Sequence, residues 1–458
     1  MPSVDSNRHI TEGVIWKQIL LFFFPILLGS FFQQLYNTVD AIIVGQALGT
    51  EALASVGASS PILNLVYGFF IGISSGATVI LSQAWGAGNR EGVTKALHTA
   101  VALALTLGMV IAVAGVLLAP QVLQLIGTPE NCMEDATVYC RIYFSGAIAT
   151  MVYNMGAGIL RAMGDSRRPM IFLVICSFIN IVADLLFIYG LNMGVAGAAL
   201  ATILSQLISA LLVLSVLMKQ PNEGKLELKQ VRFHDHILLS ILRIGVPAGI
   251  QLMMFDLSNL IVQSSINSFG DATIAAWTAY GKTDAWTWQI SGALGVSVTT
   301  FVGQNFGAQK YDRVRRSVWV CMGLGIAMVG VLSILEFNFQ EFLLGIFTTD
   351  PEVIRIGSEM MTCIVLWNAI FIPIEVFAGT MRGTGYALPP TLIMCGSVCL
   401  FRILWIWLAV ERWHTVVTLC WAYPLSWVLC VIVFYAFYLQ GDWLRSRIKA
   451  LGMPPEIR

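Results

Sequence analysis

The sequence predicts an all-α integral membrane protein in which twelve transmembrane helices form two parallel six-helix repeats. Its 458 residues are 57% hydrophobic and only 11% charged, whereas the charged fraction of soluble globular proteins is near a quarter. The apolar runs are long enough for helices, because crossing a bilayer core of about 30 Å takes roughly 20 helical residues. They do not alternate every second residue, as the strands of a membrane barrel would.

Charge clusters and Gly/Pro positions divide the chain into twelve apolar spans. The run that begins near Trp16 has no small-residue cleavage site, so we expect it to stay in the membrane rather than act as a signal peptide. The predicted spans lie at residues 15–44, 54–82, 94–118, 135–158, 169–189, 194–218, 238–268, 274–302, 315–337, 355–379, 388–410 and 414–439.

The basic residues predict how these spans are oriented. Short cytoplasmic loops carry an excess of Lys and Arg, and alternate loops together with both termini hold 21 of the 26 basic residues. We therefore expect both termini in the cytoplasm, an even number of spans, and a multi-pass protein of the plasma or inner membrane. The formal net charge of zero argues against a nucleic-acid partner.

An internal repeat in the sequence predicts how the two halves of the chain are arranged in the membrane. The segment "LSQAWGAGNREGVTKAL" aligns with "VGQNFGAQKYDRVRRSV", which places Gln83 opposite Gln304 at an offset of 221 residues. The same offset aligns "GILRAMG" with "GTMRGTG" and Gly49 with Gly270. A shared offset at several places indicates a repeat. Each half holds six spans, so both halves enter the membrane in the same direction.

The repeat divides the chain into domains. We predict an N-terminal six-helix lobe with a cation site at residues 1–218, a cytoplasmic linker at 219–236, a C-terminal six-helix lobe at 237–440 and a cytoplasmic tail at 441–458. Two such lobes form a cleft that suits alternating access. The sequence has no P-loop, GxGxxG or metal-binding signature. We therefore predict a transporter rather than an enzyme, with no cofactor and with an ion gradient or the substrate's own gradient as its driving force.

Ionisable residues inside the spans are candidates for function. An aspartate at the centre of a membrane helix costs roughly 2.5–3.5 kcal/mol, so such residues usually line a pathway or pair with a partner. We expect Arg402 to pair with Glu375 or to extend toward water. The intramembrane ionisable residues are Asp40 and Asp184 in the first half, and Asp256, Lys282, Asp284, Glu375 and Arg402 in the second.

The first half predicts a cation site made of Asp40, Asn180, Asp184 and Thr202. Asn180 and Asp184 are four residues apart and share a helix face, and the helical rise places all four residues in the outer half of the bilayer. Two carboxylates close together in a low-dielectric pocket favour binding of a proton. The same oxygens suit Na⁺ bound at Asp40 and Asp184. The alternatives are a structural interhelical hydrogen bond and, for Thr202, a bond to its own helix.

Further residues are candidates for the substrate cleft, the second lobe and a hinge. Aromatic and methionine side chains can line an adaptable apolar cleft. Pro25 removes a backbone hydrogen bond below Asp40, so we expect a hinge there. The candidates for the cleft or a second-lobe site are Tyr36, Asn37, Asn154, Asp256, Lys282, Asp284 and Glu375.

These motifs together resemble the MATE (multidrug and toxic compound extrusion) family over essentially the whole chain. The resemblance rests on Pro25 with "NTVDAIIVGQALG", on "SQAWGAGN" and "GQNFGAQ", on "ILRAMGD" and "TMRGTG", and on the pair Asn180 and Asp184. The chain is more similar to the DinF-like branch, whose first-lobe aspartates correspond to Asp40 and Asp184. The other branch has a glutamate in span seven, where this sequence has Phe255 and Asp256.

The resemblance implies a monomeric exporter of drugs or organic, often cationic, compounds in antiport with H⁺ or Na⁺. Its partners would then be small molecules and the lipid bilayer. One alternative is a lipid-linked oligosaccharide flippase of the same superfamily. That function needs a cationic cavity, and only Lys282 and Arg402 are intramembrane cations here. Another alternative is an uncoupled channel or sensor, which the two-lobe repeat disfavours.

Overall fold

The computed structural model describes residues 10–220, 224–450 and 452, and no β-strand occurs among them. Ten helices in this part of the chain are long and apolar enough to cross a membrane. The two other predicted spans, 135–158 and 274–302, also coincide with helices. The first of these is broken at Gly146, and the second is rich in Thr, Ser, Gly and Trp. Helices therefore occupy all twelve predicted spans, which confirms the predicted fold class.

Among the described residues of the first half there are seven α-helices, because the fourth span is divided in two. A π-helical turn, Leu185–Gly190, continues the sixth helix. The helices are α1 (Ile15–Leu48), α2 (Thr50–Gly86), α3 (Arg90–Leu125), α4 (Glu130–Ser145), α5 (Ala147–Ala162), α6 (Arg167–Asp184) and α7 (Gly194–Lys219).

The second half is more finely divided. A 3₁₀ turn, Val365–Trp367, interrupts the tenth span, and π-helical turns Cys395–Leu400 and Ile406–Val410 interrupt the eleventh. The helices are α8 (Asp235–Asn267), α9 (Asp271–Gly307), α10 (Tyr311–Asn338), α11 (Gln340–Gly345), α12 (Pro351–Ile364), α13 (Asn368–Gly383), α14 (Leu388–Met394), α15 (Phe401–Trp405), α16 (Glu411–Trp413), α17 (Val416–Cys420), α18 (Ala422–Leu439) and α19 (Asp442–Ala450).

Backbone conformation confirms the internal repeat. Gly49 and Gly270 precede α2 and α9 with φ of 88° and 95°, and Gly164 and Gly385 have φ of 90° and 83°. Both pairs are separated by the offset found in the sequence. Side chains rarely adopt this left-handed region, so glycine is required at both members of each pair. The two halves therefore break their helices with the same local geometry.

The chain forms two compact units. The N unit is Phe24–Gly249, and the C unit combines the residues up to Phe23 with those from Ile250 onward. The division falls inside α1 and α8, and the described part of the linker belongs to the N unit. Each of these two helices therefore begins in one unit and ends in the other.

Within the N unit, α2 and the first part of α8 cross with their backbones in contact. Both helices carry glycines four residues apart, Gly72 with Gly76 and Gly245 with Gly249. A Cβ atom on Gly72 would lie 2.2 Å from the nitrogen of Gly249, and one on Gly76 would lie 2.4 Å from the carbonyl oxygen of Ile241. Small residues at this spacing allow membrane helices to approach closely. The crossing thus depends on the absence of side chains at four positions.

Two histidines hold the linker against α3. The Nε2 atom of buried His98 accepts the backbone N–H of Glu227 at 3.1 Å, while its Nδ1 lies 2.7 Å from the carbonyl oxygen of Thr94. This arrangement fixes neutral His98 with its proton on Nδ1. His234 Nδ1 lies 3.0 Å from the Thr99 hydroxyl. The contact of His98 therefore requires an Nε2 atom without a proton.

Acidification should loosen the linker. Burial and then the positive charge of Arg232 and Lys95 lower the pKa of His234. Because the folded state binds this proton less tightly than the unfolded state, the contact loses stability as pH falls below about 6.5. We expect trypsin to cleave after Lys225 several-fold faster at pH 5.5 than at pH 7.5, after correction for trypsin's own pH dependence.

The substitution His98→Phe supplies the comparison. Phenylalanine cannot accept the N–H of Glu227, so we expect rapid cleavage at both pH values. The control is His236→Gln, which changes the exposed histidine at the end of the predicted linker. Equal cleavage rates at both pH values in the unsubstituted protein would contradict this role of the histidines.

Candidate functional site

The N unit brings together the two aspartates of its apolar helices. Asp40 of α1 and Asp184 of α6 lie close enough for one carboxyl group to donate a hydrogen bond to the other when protonated. Asp184 is fully buried and Asp40 is half-buried. Two residues separated by most of the N unit's sequence therefore form a carboxyl pair.

Asn180 completes a group of unsatisfied polar atoms. It is fully buried one helical turn before Asp184. With both carboxyls ionised, five buried atoms have no hydrogen-bond partner among the described residues: Asp40 Oδ1, both oxygens of Asp184, and the amide oxygen and nitrogen of Asn180. Four of these five atoms are acceptors, and Asn180 Nδ2 is a donor. Buried acceptors without donors are costly, so the four oxygens favour binding of a cation.

The backbone changes its winding directly after Asp184. The turn Leu185–Gly190 is π-helical, and it ends with the N–H of Leu191 donating to the carbonyl of Leu186 at 2.9 Å. Single π-helical turns inside α-helices occur frequently at functional sites. A second π-helical turn, Ile406–Val410, lies at the equivalent place of the other half. Sequence pattern predicted an uninterrupted span here.

Thr202 lies close in the fold but makes a local bond. It is buried on α7, which packs against α6. Its hydroxyl donates to the carbonyl of Ala198, one turn earlier, at 3.2 Å. Within the described ranges, no hydrogen bond joins Thr202 to Asp40 or Asp184. The membership of Thr202 in the cation site therefore stays a prediction.

Aromatic residues surround the carboxyl pair. The predicted residue Tyr36 and the unpredicted residues Tyr139 and Tyr143 lie near enough to interact electrostatically with Asp40. The rings of Tyr139 and Tyr143 are 5.9 Å apart, and that of Tyr67 contacts Tyr143 edge-on at 5.6 Å. The spacing of Tyr139 and Tyr143 on one helix face was the available signal. Sequence reasoning missed it because neither residue is ionised at neutral pH.

The other first-half candidates do not join the pair. Asn37 is exposed on α1. The Asn154 amide donates to the carbonyl of Thr150 at 2.9 Å, so its bond is local to α5. Pro25 lies inside α1, which continues as one helix from Ile15 to Leu48. A hinge at Pro25 therefore stays a prediction.

Among the second-half candidates, Asp284 is the most constrained. It is buried on α9, and its Oδ2 accepts hydrogen bonds from Trp288 Nε1 at 2.7 Å and the Tyr280 hydroxyl at 3.2 Å. Its Oδ1 accepts one from Asn368 Nδ2 at 2.7 Å. In contrast, Lys282 on the same helix is exposed, and Asp256 on α8 is half-buried.

The expected pairing of Arg402 with Glu375 is wrong. Glu375 pairs with Arg382 at 3.5 Å, because the two residues are seven apart and share one face of α13. Arg402 is buried elsewhere, with its guanidinium 4.0 Å from the Tyr423 ring centre, and its Nε donates to Ser426 at 3.2 Å. An aromatic face stabilises a buried guanidinium, so Arg402 needs no carboxylate.

Comparison with known proteins identifies the family to which the chain belongs. A family model described as MatE matches residues 25–186 and 247–408, one match in each half. The chain belongs to the MatE family. This assignment confirms the family that the sequence motifs resemble, and the two matched ranges follow the internal repeat.

Several relatives of the chain are named as multidrug resistance proteins. The chain is 29% identical over 459 residues to the probable multidrug resistance protein YoeA of Bacillus subtilis strain 168, covering 98% of each chain. It is 30% identical over 379 residues to the probable multidrug resistance protein YpnP of the same strain, covering 82% of this chain and 84% of that protein. This multi-pass membrane protein therefore has relatives named for multidrug resistance, one of which it matches over nearly the whole length.

A solved structure confirms the fold of this MatE family member. It is described as the outward-facing conformation of a multidrug resistance MATE family transporter of the MOP superfamily. The two share 22% identity with a TM-score of 0.89, covering 99% of this chain and all of that one. The match agrees with the twelve-span arrangement predicted from the sequence.

Proposed function

We propose that this protein is a secondary active transporter that exports organic, often cationic, compounds in antiport with H⁺ or Na⁺. It would act in the plasma or inner membrane as a monomer, with both termini in the cytoplasm. The observation that carries the proposal is the buried carboxyl pair of Asp40 and Asp184, with Asn180 beside it. The names of the relatives support a drug-like substrate.

The carboxyl pair supplies the coupling. Two unit charges about 4 Å apart repel by about 4 kcal/mol at an effective dielectric constant of 20. One proton or Na⁺ between Asp40 and Asp184 removes most of this repulsion, so the N unit adopts different stable arrangements with and without the ion. An organic cation is attracted by the same charges. Binding of the small ion therefore weakens binding of the substrate, so each ligand favours release of the other.

Aromatic side chains near the pair suit such a substrate. The faces of Tyr36, Tyr139 and Tyr143 attract organic cations through their π electrons and impose few fixed hydrogen bonds. The carboxyl pair can be charged or neutralised, and the apolar surface around it is adaptable. Together these properties favour binding of a broad range of compounds.

The energy available is sufficient for export. One elementary charge moving down 100 mV releases about 2.3 kcal/mol. At one-to-one exchange this supports roughly fiftyfold accumulation of an uncharged compound. A monovalent organic cation exchanges electroneutrally, so its export is driven by the concentration gradient of the ion, which supplies about 1.4 kcal/mol for each factor of ten.

The test is transport in proteoliposomes with a fluorescent organic cation. Purified protein is reconstituted, and a pH gradient or a Na⁺ gradient is imposed separately at matched ionic strength. We expect one of the two gradients to accelerate substrate movement at least tenfold, which also identifies the coupling ion. A substrate flux that is equal with and without either gradient would refute antiport and favour an uncoupled pathway.

A further inference from the structure

The C unit has a groove beside the start of α12. The groove is lined by Glu341 of α11, by one face of α12 and by Val417 of α17. Its volume is about 650 Å³, which lies within the range of small-ligand sites. Helix α11 packs closely on α12, since a Cβ atom on Gly357 would lie 2.9 Å from the Leu344 side chain. Packed helices therefore form the groove, and all of its residues belong to the C unit.

Helix α12 has an apolar face and a polar face. The apolar face is buried and contains Val353, Ile356, Met360, Met361 and Ile364. The polar face lines the groove and contains Arg355, Ser358, Glu359 and Thr362, which follow the three- and four-residue spacing of one helix face. Helix α12 begins a span that is long and apolar enough to cross a membrane. Lipid chains supply no hydrogen bonds, so this polar face requires a polar partner.

The groove carries both signs of charge. Arg355 Nη1 donates a hydrogen bond to Glu359 Oε1 at 2.6 Å, and Glu341 adds a second carboxylate from α11. A guanidinium has five N–H donors, of which this contact uses one. All three side chains are exposed, so their remaining donors and acceptors can reach a ligand. The groove therefore fits a ligand that has an anionic and a cationic group close together.

The groove also extends along α12 toward the middle of the span. Ser358 lies about 4.5 Å beyond Arg355 along the helix axis, and its hydroxyl oxygen is buried without a hydrogen-bond partner among the described residues. Cys363 lies about 12 Å beyond Arg355 and is the deepest residue of the groove on α12. A phospholipid has the same order of groups, with a charged headgroup, then ester oxygens, then acyl chains.

We propose that this groove binds a phosphatidylethanolamine, a zwitterionic phospholipid with a primary ammonium group. The phosphate accepts hydrogen bonds from Arg355, and such charge-assisted contacts are strong. The ammonium donates to Glu341 and Glu359. Ser358 donates to an ester oxygen after rotation about χ1. In the proposed orientation of the chain this lipid belongs to the outer leaflet, and the site does not depend on the proposed antiport.

The charges of the groove predict which headgroup it selects. Phosphatidylcholine has the same phosphate, but its ammonium has no N–H to donate to Glu341 or Glu359. Phosphatidylglycerol has no cation, so the two carboxylates repel it. An organic cation alone would leave the donors of Arg355 unused and would be repelled by them. We therefore expect the affinity to decrease from phosphatidylethanolamine to phosphatidylcholine and then to phosphatidylglycerol.

Thermal unfolding in mixed micelles tests this order. The three lipids carry identical acyl chains, and micelles exclude the effect of phosphatidylethanolamine on bilayer curvature. A ligand of the folded state raises the unfolding temperature. We expect a saturable rise with phosphatidylethanolamine that is several-fold larger than the rise with phosphatidylcholine. Equal rises with all three lipids would overturn the proposal.

Substitutions in the groove supply the comparison. Glu341→Gln together with Arg355→Gln should remove the difference between phosphatidylethanolamine and phosphatidylcholine. Both side chains are exposed, and exposed ion pairs contribute at most about 1 kcal/mol, so the variant should fold. The control Glu411→Gln changes an exposed carboxylate of α16 outside the groove and should preserve the difference. An undiminished difference in the double variant would also overturn the site.

Alkylation of Cys363 follows occupancy in the unsubstituted protein. Cys363 lines the groove and is half-buried, and half-buried Cys395 serves as the internal reference. Mass spectrometry measures the reaction of both thiols with N-ethylmaleimide in the same micelles. We expect phosphatidylethanolamine to slow the reaction of Cys363 several-fold and to leave Cys395 unchanged.

Two outcomes of this experiment would contradict the lipid assignment. Protection of Cys363 by tetraphenylphosphonium but not by phosphatidylethanolamine would assign the groove to an organic cation. Equal protection by glycerophosphoethanolamine, which lacks acyl chains, would assign it to a free headgroup. Neither measurement involves transport, so a failure of antiport would leave both readouts unaffected.

Discussion

We expect the double substitution Asp40→Asn with Asp184→Asn to abolish gradient-driven export. Asparagine keeps the size of each side chain but neither releases a proton at neutral pH nor supplies a charge for Na⁺. The proton or Na⁺ gradient then loses its coupling to the substrate. With a roughly tenfold gradient of the coupling ion, the steady-state accumulation should fall from about tenfold to none, because one-to-one exchange of a monovalent organic cation is electroneutral. Accumulation of a fluorescent organic cation in proteoliposomes measures the effect.

The control for this experiment is Glu51→Gln, which neutralises an exposed carboxylate at the start of α2 in the same unit. It should leave accumulation unchanged. Normal unfolding temperatures of both variants show that the protein is intact. Full accumulation by the double variant would remove the carboxyl pair from the mechanism.

Replacing Gly72 by alanine should destabilise the protein, although alanine is the better helix former. The added Cβ would lie 2.2 Å from a backbone nitrogen of α8, where no side-chain rotation can relieve the contact. Overpacking of this kind costs about 1–3 kcal/mol or more. The unfolding temperature in detergent should therefore fall, and the variant should lose transport because α8 connects the two units.

A glycine in the same helix provides the matched control. A Cβ on Gly57 would meet no atom within 4 Å, apart from its own chain neighbours and helix backbone. The substitution Gly57→Ala should raise stability by up to about 1 kcal/mol through helix propensity. The two alanine substitutions are thus expected to have opposite signs. Destabilisation of equal size at both positions would show that the crossing has no special role.

Sequence reasoning predicted the helices and the repeat because both depend on local properties. Span length follows from the thickness of the bilayer, and the repeat follows from matching glycines at one offset. The pair of Asp40 and Asp184 could also be predicted, since ionisable residues are rare in apolar spans and most of them have a functional role.

Features that depend on packing between distant segments were not predictable in this way. Glu336 lies at the edge of a predicted span, where hydropathy does not distinguish a buried carboxylate from a solvated one. Asn368 gains its role only because the 3₁₀ turn before α13 places it beside Asp284. The predicted pairing of Arg402 with Glu375 was wrong for the same reason, because the sequence does not show that the Tyr423 ring lies against the Arg402 guanidinium.

The central claim is that substrate and a small cation move in opposite directions through one protein. The most direct test uses a substrate gradient alone. Proteoliposomes are loaded with the organic cation and diluted into substrate-free buffer with equal pH, equal Na⁺ and a clamped membrane potential. Radioactive Na⁺ and an internal pH dye report cation entry. Antiport predicts that substrate exit drives uptake of one of these ions, and that Asp40→Asn with Asp184→Asn abolishes that uptake. Rapid substrate exit with no movement of either ion would contradict the claim.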